Sequence, residues 1–534
     1  MKKIILCIAV LSSVAAAAVD YTIRPHAQIM KELDKAIAWY KEGTPESLAK
    51  ADYIVEAVAA EQIRDPESSR YGSMGWWFGT NKKAGLNMAN FLTHQMWIDL
   101  WPLQDRMSPK TREEYLKTCE LILVCAQRRF DEEKFPLQRD NIEYTNAYLM
   151  SIQNITIGAW RLGDERLKRK AVSQWKRFYN LYQMSACGEF MSADYDNTDF
   201  EAIIDIWRYT EDENVRAQAK EVLDEMYVTE CAGSHPVLKL PVVGSSRDYR
   251  DFLKHPDGRA KFLISAPEDY EIPEKAKELQ TARRYPFEFE GKAGNLPFTF
   301  KSYQLKDAAM GTMTGWGDYF CQEQYLVAAS GTSTEDRAVM FSPGIYLYVN
   351  GFTDQKGLST LLVYNRKPTL WHIMMRGYSL KDDISRTFDP FGIGINDAFR
   401  EVENEPGHLV LRAGEYDYHV FGFEVSEGGI GPCEMRRVSR DNLSPSGRYK
   451  PRKMVFDEYL FPDKSEWVGA VVKMVKAGTK VKTPVINYGE RGDLTTFDCK
   501  SENLHLDIAL TEQGASVSLP KENLDLMPRR RMSQ

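Results

Sequence analysis

Pro297-Phe298-Thr299-Phe300-Lys301-Ser302-Tyr303 is the stretch on which the fold turns. Aromatic and polar side chains alternate along it, and a period of two puts one set on each face of a β-strand. Further runs of this kind follow: Tyr325-Leu326-Val327, Gly344-Ile345-Tyr346-Leu347-Tyr348-Val349 and Tyr416-Asp417-Tyr418-His419-Val420-Phe421. Turn signals such as Asn350-Gly351 and Gly428-Gly429 separate them. Many short alternating runs divided by Gly, Asn and Asp predict an antiparallel β-sandwich over 291–526. Upstream the period is different. Apolar residues recur at helical spacing near 26–41, 46–64, 82–101, 109–129, 142–162, 164–185, 197–209 and 211–228. Thr44-Pro45-Glu46, Ser108-Pro109 and Asp212 stand where helix starts need side-chain acceptors or a proline in the first turn. Breaks as short as Arg161-Leu162-Gly163-Asp164 suit antiparallel neighbours. The expected fold class is therefore α+β: an N-terminal (α/α) toroid of paired helices over 19–267, a connector over 268–290, the sandwich, and a flexible tail over 527–534.

The chain begins with Lys2-Lys3, an apolar run from Ile4 to Val14, and Ala15-Ala16-Ala17-Ala18. That order is the pattern of a cleaved secretory signal peptide over 1–18, and the run is too short to span a bilayer. Export to the periplasm or the medium is the expectation, with no membrane span in the mature chain. Losing two lysines takes the formal charge from −7 to −9, and with 69 Lys+Arg against 76 Asp+Glu there is no basic excess for nucleic acid. Setting aside Cys7, the seven cysteines are dispersed and form no C-x-x-C pair, a pattern of buried thiols rather than a disulfide framework or zinc ribbon. P-loop, dinucleotide, H-E-x-x-H and G-x-S-x-G motifs are absent from the sequence, so no cofactor is expected.

Eight of the eleven tryptophans precede residue 290. Most read as core, but Tyr71-Gly72-Ser73-Met74-Gly75-Trp76-Trp77-Phe78-Gly79-Thr80-Asn81 places three adjacent aromatics between glycines. Trp76, Trp77 and Asn81 are thus candidates for contact with sugar C–H faces and hydroxyls. Asn146 stands at a helix start, where it either caps the helix or donates to a substrate carboxylate. The loop Gly188-Glu189-Phe190-Met191-Ser192-Ala193-Asp194-Tyr195-Asp196-Asn197-Thr198-Asp199 collects acids around Tyr195. Asp196 and Asn197 read as helix caps, while Glu189 and Asp194 are candidate substrate contacts. These acids are also possible donors to a divalent cation, although their spacing matches no calcium loop. His235, in Gly233-Ser234-His235-Pro236, precedes Arg247-Asp248-Tyr249. In the sheet half Trp316 and His372 lie near turns.

The two-part architecture, the Trp-rich loop and the set Asn146, Tyr195, His235 and Arg247 resemble the two-domain polysaccharide lyases, among them chondroitin AC and hyaluronate lyases, alginate lyases and heparinase II. The resemblance spans nearly the whole mature chain as architecture and rests on those four residues as motif. It implies an acidic polysaccharide or oligosaccharide as substrate and β-elimination next to a uronate. Asn146 and Arg247 would neutralise the carboxylate, His235 would act as base, and Tyr195 as acid or base with Tyr249 as substitute. Two other readings stand beside it. A toroid glycoside hydrolase would use Glu189 or Asp194 with Asp199, and a non-catalytic glycan binder would need only the Trp76-Trp77-Phe78 loop.

Overall fold

A computed structural model describes residues 21–80, 85–128, 130, 145–185, 187–188, 191–192, 195–244, 266–293, 298–314, 322–345, 348–354, 357–365, 392–440, 456–462, 465–492, 494–511, 514–517 and 530–532. The expected signal peptide lies outside them, as do Asn81, Glu189, Asp194, Arg247, Tyr249, Trp316 and His372. The fold class is α+β. Two compact units make up the chain, one formed by the segments up to Asn141, Ala147–Arg177 and Ala202–Ala217, the other by Ile142–Asn146, Phe178–Glu201 and Gln218–Gln534.

Helices α1 (Ile29–Glu42), α2 (Pro45–Glu61), α3 (Leu86–Phe91), α4 (Pro109–Arg128), α5 (Thr145–Leu162), α6 (Glu165–Ser185), α7 (Asp196–Tyr209) and α8 (Glu213–Gly233) follow the expected segments closely. In α1 the buried set Ile29, Leu33, Ala36, Ile37 and Tyr40 keeps to one stripe. The helix ends at Gly43, whose φ of 75° lets its N–H return to Trp39 O at 3.0 Å. The cap residues act as their spacing implies. Thr44 Oγ1 accepts the Ser47 N–H at 3.1 Å, and Asp212 Oδ1 accepts those of Asn214 and Val215 at 3.0 Å.

One expected helix is broken. In place of a continuous 82–101, α3 stops at Phe91, a π-helical turn runs His94–Leu100, and a 3-10 turn runs Trp101–Arg106. Thr93 Oγ1 donates to Asn90 O at 2.6 Å, tying up that carbonyl, and Pro102 has no N–H with which to continue the ladder. A buried polar chain crosses this unit: Trp97 Nε1 donates to Asn154 Oδ1 (2.8 Å), Asn154 Nδ2 to Asn90 Oδ1 (3.3 Å), and Asn90 Nδ2 to Ser151 Oγ (2.9 Å).

The second unit carries the sheets, all antiparallel. A nine-stranded sheet runs in spatial order Arg436–Arg440, Phe456–Leu460, Gly392–Ile395, Ala338–Ile345, Gln322–Ser330, Ala308–Thr314, Phe298–Gln304, Phe287–Ala293 and Arg530–Met532. The last is a correction: part of the expected flexible tail is an edge strand, Arg531 pairing with Glu290. The expected connector holds a further helix, α9 (Glu274–Thr281). A six-strand path Arg400–Glu405, His408–Ala413, Tyr416–Ser426, Trp467–Lys476, Ser359–Asn365 and Tyr348–Asp354, with Gly429–Pro432 attached, makes the second sheet.

A third layer of four strands, Asn487–Arg491, Leu494–Cys499, Leu504–Thr511 and Gly514–Val517, extends the sandwich. Strand Tyr416–Ser426 explains why. Tyr418 donates from its hydroxyl to Ser330 Oγ of the nine-stranded sheet at 2.7 Å, while Phe421 and Phe423 pack with Phe497, Leu504 and Leu506 of the third layer. With both faces covered, the strand is buried almost continuously, Asp417 and His419 included. The six described cysteines, from Cys119 to Cys499, are buried thiols in no disulfide, and no described helix is long and apolar enough to cross a membrane.

Candidate functional site

Asn146 is the second residue of α5 and 1% exposed. Tyr195 immediately precedes α7, its carbonyl accepting the Asp199 N–H at 2.8 Å, and its side chain is half-buried. The two helices run parallel. Gln153 Nε2 donates to Asp205 Oδ2 at 2.7 Å, eight residues after the first of α5 and nine after the first of α7. Farther along both helices Trp160 meets Tyr209, with ring centroids 5.3 Å apart, so the two contacts advance in the same sense and the starts of both helices lie at the same end. Gly188 N–H donates to Thr145 Oγ1 at 3.1 Å, which ties the loop before Tyr195 to the start of α5. Within that loop Met191 is held at a φ of 51°, a conformation that side chains with a Cβ rarely take. Asn146 and Tyr195 are thus brought to one end of a helix pair, the end at which the helix dipoles favour negative charge.

His235 requires a correction. It lies at the turn after α8, in a two-residue strand with Ser234, and is 0% exposed. Leu238 N–H donates to its Nδ1 at 3.1 Å, and its Nε2–H donates to Leu305 O at 2.8 Å. That fixes the tautomer and engages both nitrogens with backbone. The ring also stacks on Tyr285, 5.9 Å between centroids. Burial pushes its pKa down to about 4, the Leu305 carbonyl pulling partly back. A group so placed holds the turn and has no lone pair to offer as a base.

Beneath Tyr195 lies a feature that the sequence reading missed. Asp196 Oδ1 accepts the Ser192 N–H at 3.0 Å, and the Asp196 carboxyl shares a hydrogen bond with Glu230 of α8. Burial pushes Asp196 up to about 7, against the lowering effect of the Ser192 N–H and Glu230. Asp199 is 0% exposed, neither of its oxygens has a hydrogen-bond partner, and burial followed by the charge of Asp196 holds its carboxyl well above the usual range. Asp196 is therefore no simple cap: it ties the Ser192 backbone to α8. Asp199 has no route to solvent, so the hydrolase reading loses its one described carboxylate. No group of three or more His, Cys, Asp or Glu among the described residues is arranged to hold a metal ion.

The tryptophan loop belongs to the helical unit. It is pinned to the start of α1 by Ile29 N–H to Trp76 O (3.1 Å) and Phe78 N–H to Ala27 O (3.1 Å). Trp76 turns inward against Phe91, 4.9 Å between centroids, and reads as core; Trp77 is 47% exposed.

No protein-family model and no curated protein matches the chain. Among solved structures, the chain is similar to the heparan sulfate lyase HepC from Pedobacter heparinus at 9% identity and a TM-score of 0.35, over 91% of this chain and 82% of that one. It is similar to heparinase III at 9% identity and a TM-score of 0.41, over 92% and 85%. A heparinase III gene product matches at 9% identity and 0.34, over 90% and 83%. TM-scores this low leave the family and the activity to be judged from the chain's own residues.

Proposed function

We propose that this protein is an exported polysaccharide lyase that cleaves a uronic-acid-containing glycan by β-elimination. What supports the reading is that Asn146 and Tyr195 stand at the starts of α5 and α7, two helices that run side by side in the same sense. The step removes the proton on C5, α to the uronate carboxylate, and breaks the bond from C4 to the linking oxygen. The electron pair left by the C–H bond becomes the new C4–C5 double bond. Negative charge builds on the carboxylate as the proton leaves, so a donor aimed there is worth ~3–4 kcal/mol of barrier. Asn146 is that donor. Tyr195 moves the proton, a role worth ~10²–10⁴-fold in rate.

With His235 withdrawn, Tyr195 is base, leaving-group acid, or both in succession. Arg247 as a second donor, Tyr249 as a substitute for Tyr195, and Trp316 and His372 as substrate contacts remain parts of the proposal. The buried acids support the reading indirectly: held largely protonated below neutral pH, Asp196 and Asp199 put little negative charge beside an anionic substrate.

The test is product formation from uronate-containing polysaccharides, read as the ultraviolet absorbance of the conjugated double bond. Tyr195→Phe should lose the absorbance, and Asn146→Ala should lower kcat by ~10²–10³. Undiminished turnover in Tyr195→Phe refutes the assignment of that residue. A purely glycan-binding role is favoured by one observation, the exposure of Trp77 on a pinned loop. It leads instead to saturable binding with no absorbing product from any glycan.

A further inference from the structure

The helical unit contains a cavity unconnected with the residues assigned above. It has a volume of about 300 Å³ and lies where α5 and α7 end and α6 and α8 begin. Its aromatic wall is Trp160, in the last turn of α5, and Tyr209, the last residue of α7, with ring centroids 5.3 Å apart and planes at 49°. The Arg161 guanidinium lies 4.5 Å from the Trp160 ring and 5.5 Å from that of Tyr209, and its Nε is anchored on Trp97 O at 3.3 Å. That buttress fixes both rings. Trp160 is nevertheless 38% exposed, whereas Trp97 and Trp175 in the same unit are fully buried. An indole held rigidly and left open at a concavity presents a flat aromatic surface to a ligand.

The remaining wall is polar. Lys168 Nζ bonds Glu211 at 2.7 Å and Glu165 at 3.0 Å, and Arg169 and Asp212 complete the charged lining. Three acids against two bases leave a net −1, and the ammonium is already matched by two carboxylates. A sulfated or uronate ring would meet a net negative lining in which the Lys168 ammonium is already matched and only Arg169 is left to face it. An aliphatic ligand would have to strip water from five charges without replacing their hydrogen bonds. A pyranose without charge meets both requirements: its C–H face covers the indole and its hydroxyls bridge carboxylate and ammonium edges. The volume stands at the lower end of the ~300–1,000 Å³ typical of small-ligand pockets, room for one or two rings.

Trp160 follows Asn146 by fourteen residues on one helix, about 21 Å at 1.5 Å per residue. We propose that this cavity is a second carbohydrate site, taking a neutral hexose unit at the opposite end of α5 from the Asn146 and Tyr195 pair. Its role is to hold a neutral portion of a glycan and so raise the local concentration of chain at the protein.

Saturation-transfer NMR and calorimetry on the full chain, with cellobiose, maltose and lactose as neutral probes and glucuronic acid as the acidic one, test the proposal. At least one neutral disaccharide should bind saturably, at least tenfold more weakly to Trp160→Ala and to Tyr209→Ala. Trp160→Phe, which keeps a ring, should retain part of the affinity, and Tyr195→Phe should bind like the parent. Circular dichroism melts establish that each variant is folded. Absence of saturable binding to all three neutral probes overturns the site. So does unchanged affinity in folded Trp160→Ala, and tighter binding of glucuronic acid than of any neutral probe overturns the ligand class. None of these readouts depends on turnover, so elimination at the other end of the helix stands or falls separately.

Discussion

Replacing Asp196 by Asn probes the buried acids with little change of shape. The amide keeps an oxygen for the Ser192 N–H, now received at 3.0 Å, and gains an N–H to give to Glu230. Only the titration is removed. In the unfolded chain the Asp196 carboxyl loses its proton near its ordinary 3.8, and in the folded chain near 7. Between those values the folded state holds a proton that the unfolded state has released, so stability falls as pH rises. Over the full interval the loss amounts to about 4 kcal/mol, at 1.36 kcal/mol per pH unit.

The Asn variant has no such proton. Near pH 4 it should match the parent to within about 1 kcal/mol. By pH 8 it should be the more stable by about 4 kcal/mol. The gain includes relief of Asp199, for which the charge of Asp196 is the second cause of its raised pKa. Thermal melts followed by near-ultraviolet circular dichroism from pH 4 to 8 measure the difference, which should reach about 4–5 °C at the alkaline end. Other groups titrate in this range, so the quantity to compare is the gap between the two proteins at each pH. A gap that stays constant to within about 0.5 kcal/mol, or a variant less stable at pH 8, refutes the account of these carboxyls.

His235 titrates in the opposite sense. Its pKa is lowered from 6.5 to about 4, so the unfolded chain binds the extra proton and stability falls as pH drops through that interval, by about 3 kcal/mol. His235→Gln should lose about 1–3 kcal/mol at pH 7 through its two backbone bonds. It should also lack that acid slope in melts between pH 4 and 7. Gly311→Ala should be harsher than an ordinary glycine replacement. An added Cβ would stand 2.0 Å from Val242 O, so strand and turn must separate, at a cost of at least about 1–3 kcal/mol in the unfolding midpoint.

The helices were legible because each carries its period and its ends in a few adjacent residues: the stripe of α1, Thr44 before Pro45, Asp212 before α8. The expected 82–101 helix failed on an equally local feature, the Thr93 hydroxyl bonding the Asn90 carbonyl just ahead of Pro102. The site was legible only as residue types. Nothing near His235 announces that its ring will close on Leu305, seventy residues away, and nothing near Asp196 names Glu230 as its partner. Parallel packing of α5 and α7 likewise rests on two long-range contacts, Gln153 with Asp205 and Trp160 with Tyr209. The third β-layer was not legible in Tyr416–Ser426, where Asp417, His419 and Glu424 break the apolar residues as on a strand with one solvent face, although the strand is buried almost throughout.

The protonation of Asp196 ties stability to the proposed chemistry, because the residue directly follows Tyr195. Suppose that the substrate carboxylate sits about 7 Å from Asp196 at an effective dielectric constant of about 20. Ionising the acid then costs about 2 kcal/mol of attraction, roughly a thirtyfold loss. The kcat/KM for a uronate substrate should consequently fall as pH rises through about 7, the value to which burial lifts this group. Raised ionic strength should soften the fall only slightly, since buried charge is poorly screened. Asp196→Asn separates this cause from ionisation of Tyr195 itself. If the acid supplies the repulsion, the alkaline limb moves upward or vanishes in the variant while kcat/KM at pH 5.5 stays close to that of the parent. If the limb stays at the same pH, the loss comes from another group, and the buried acids bear on stability alone.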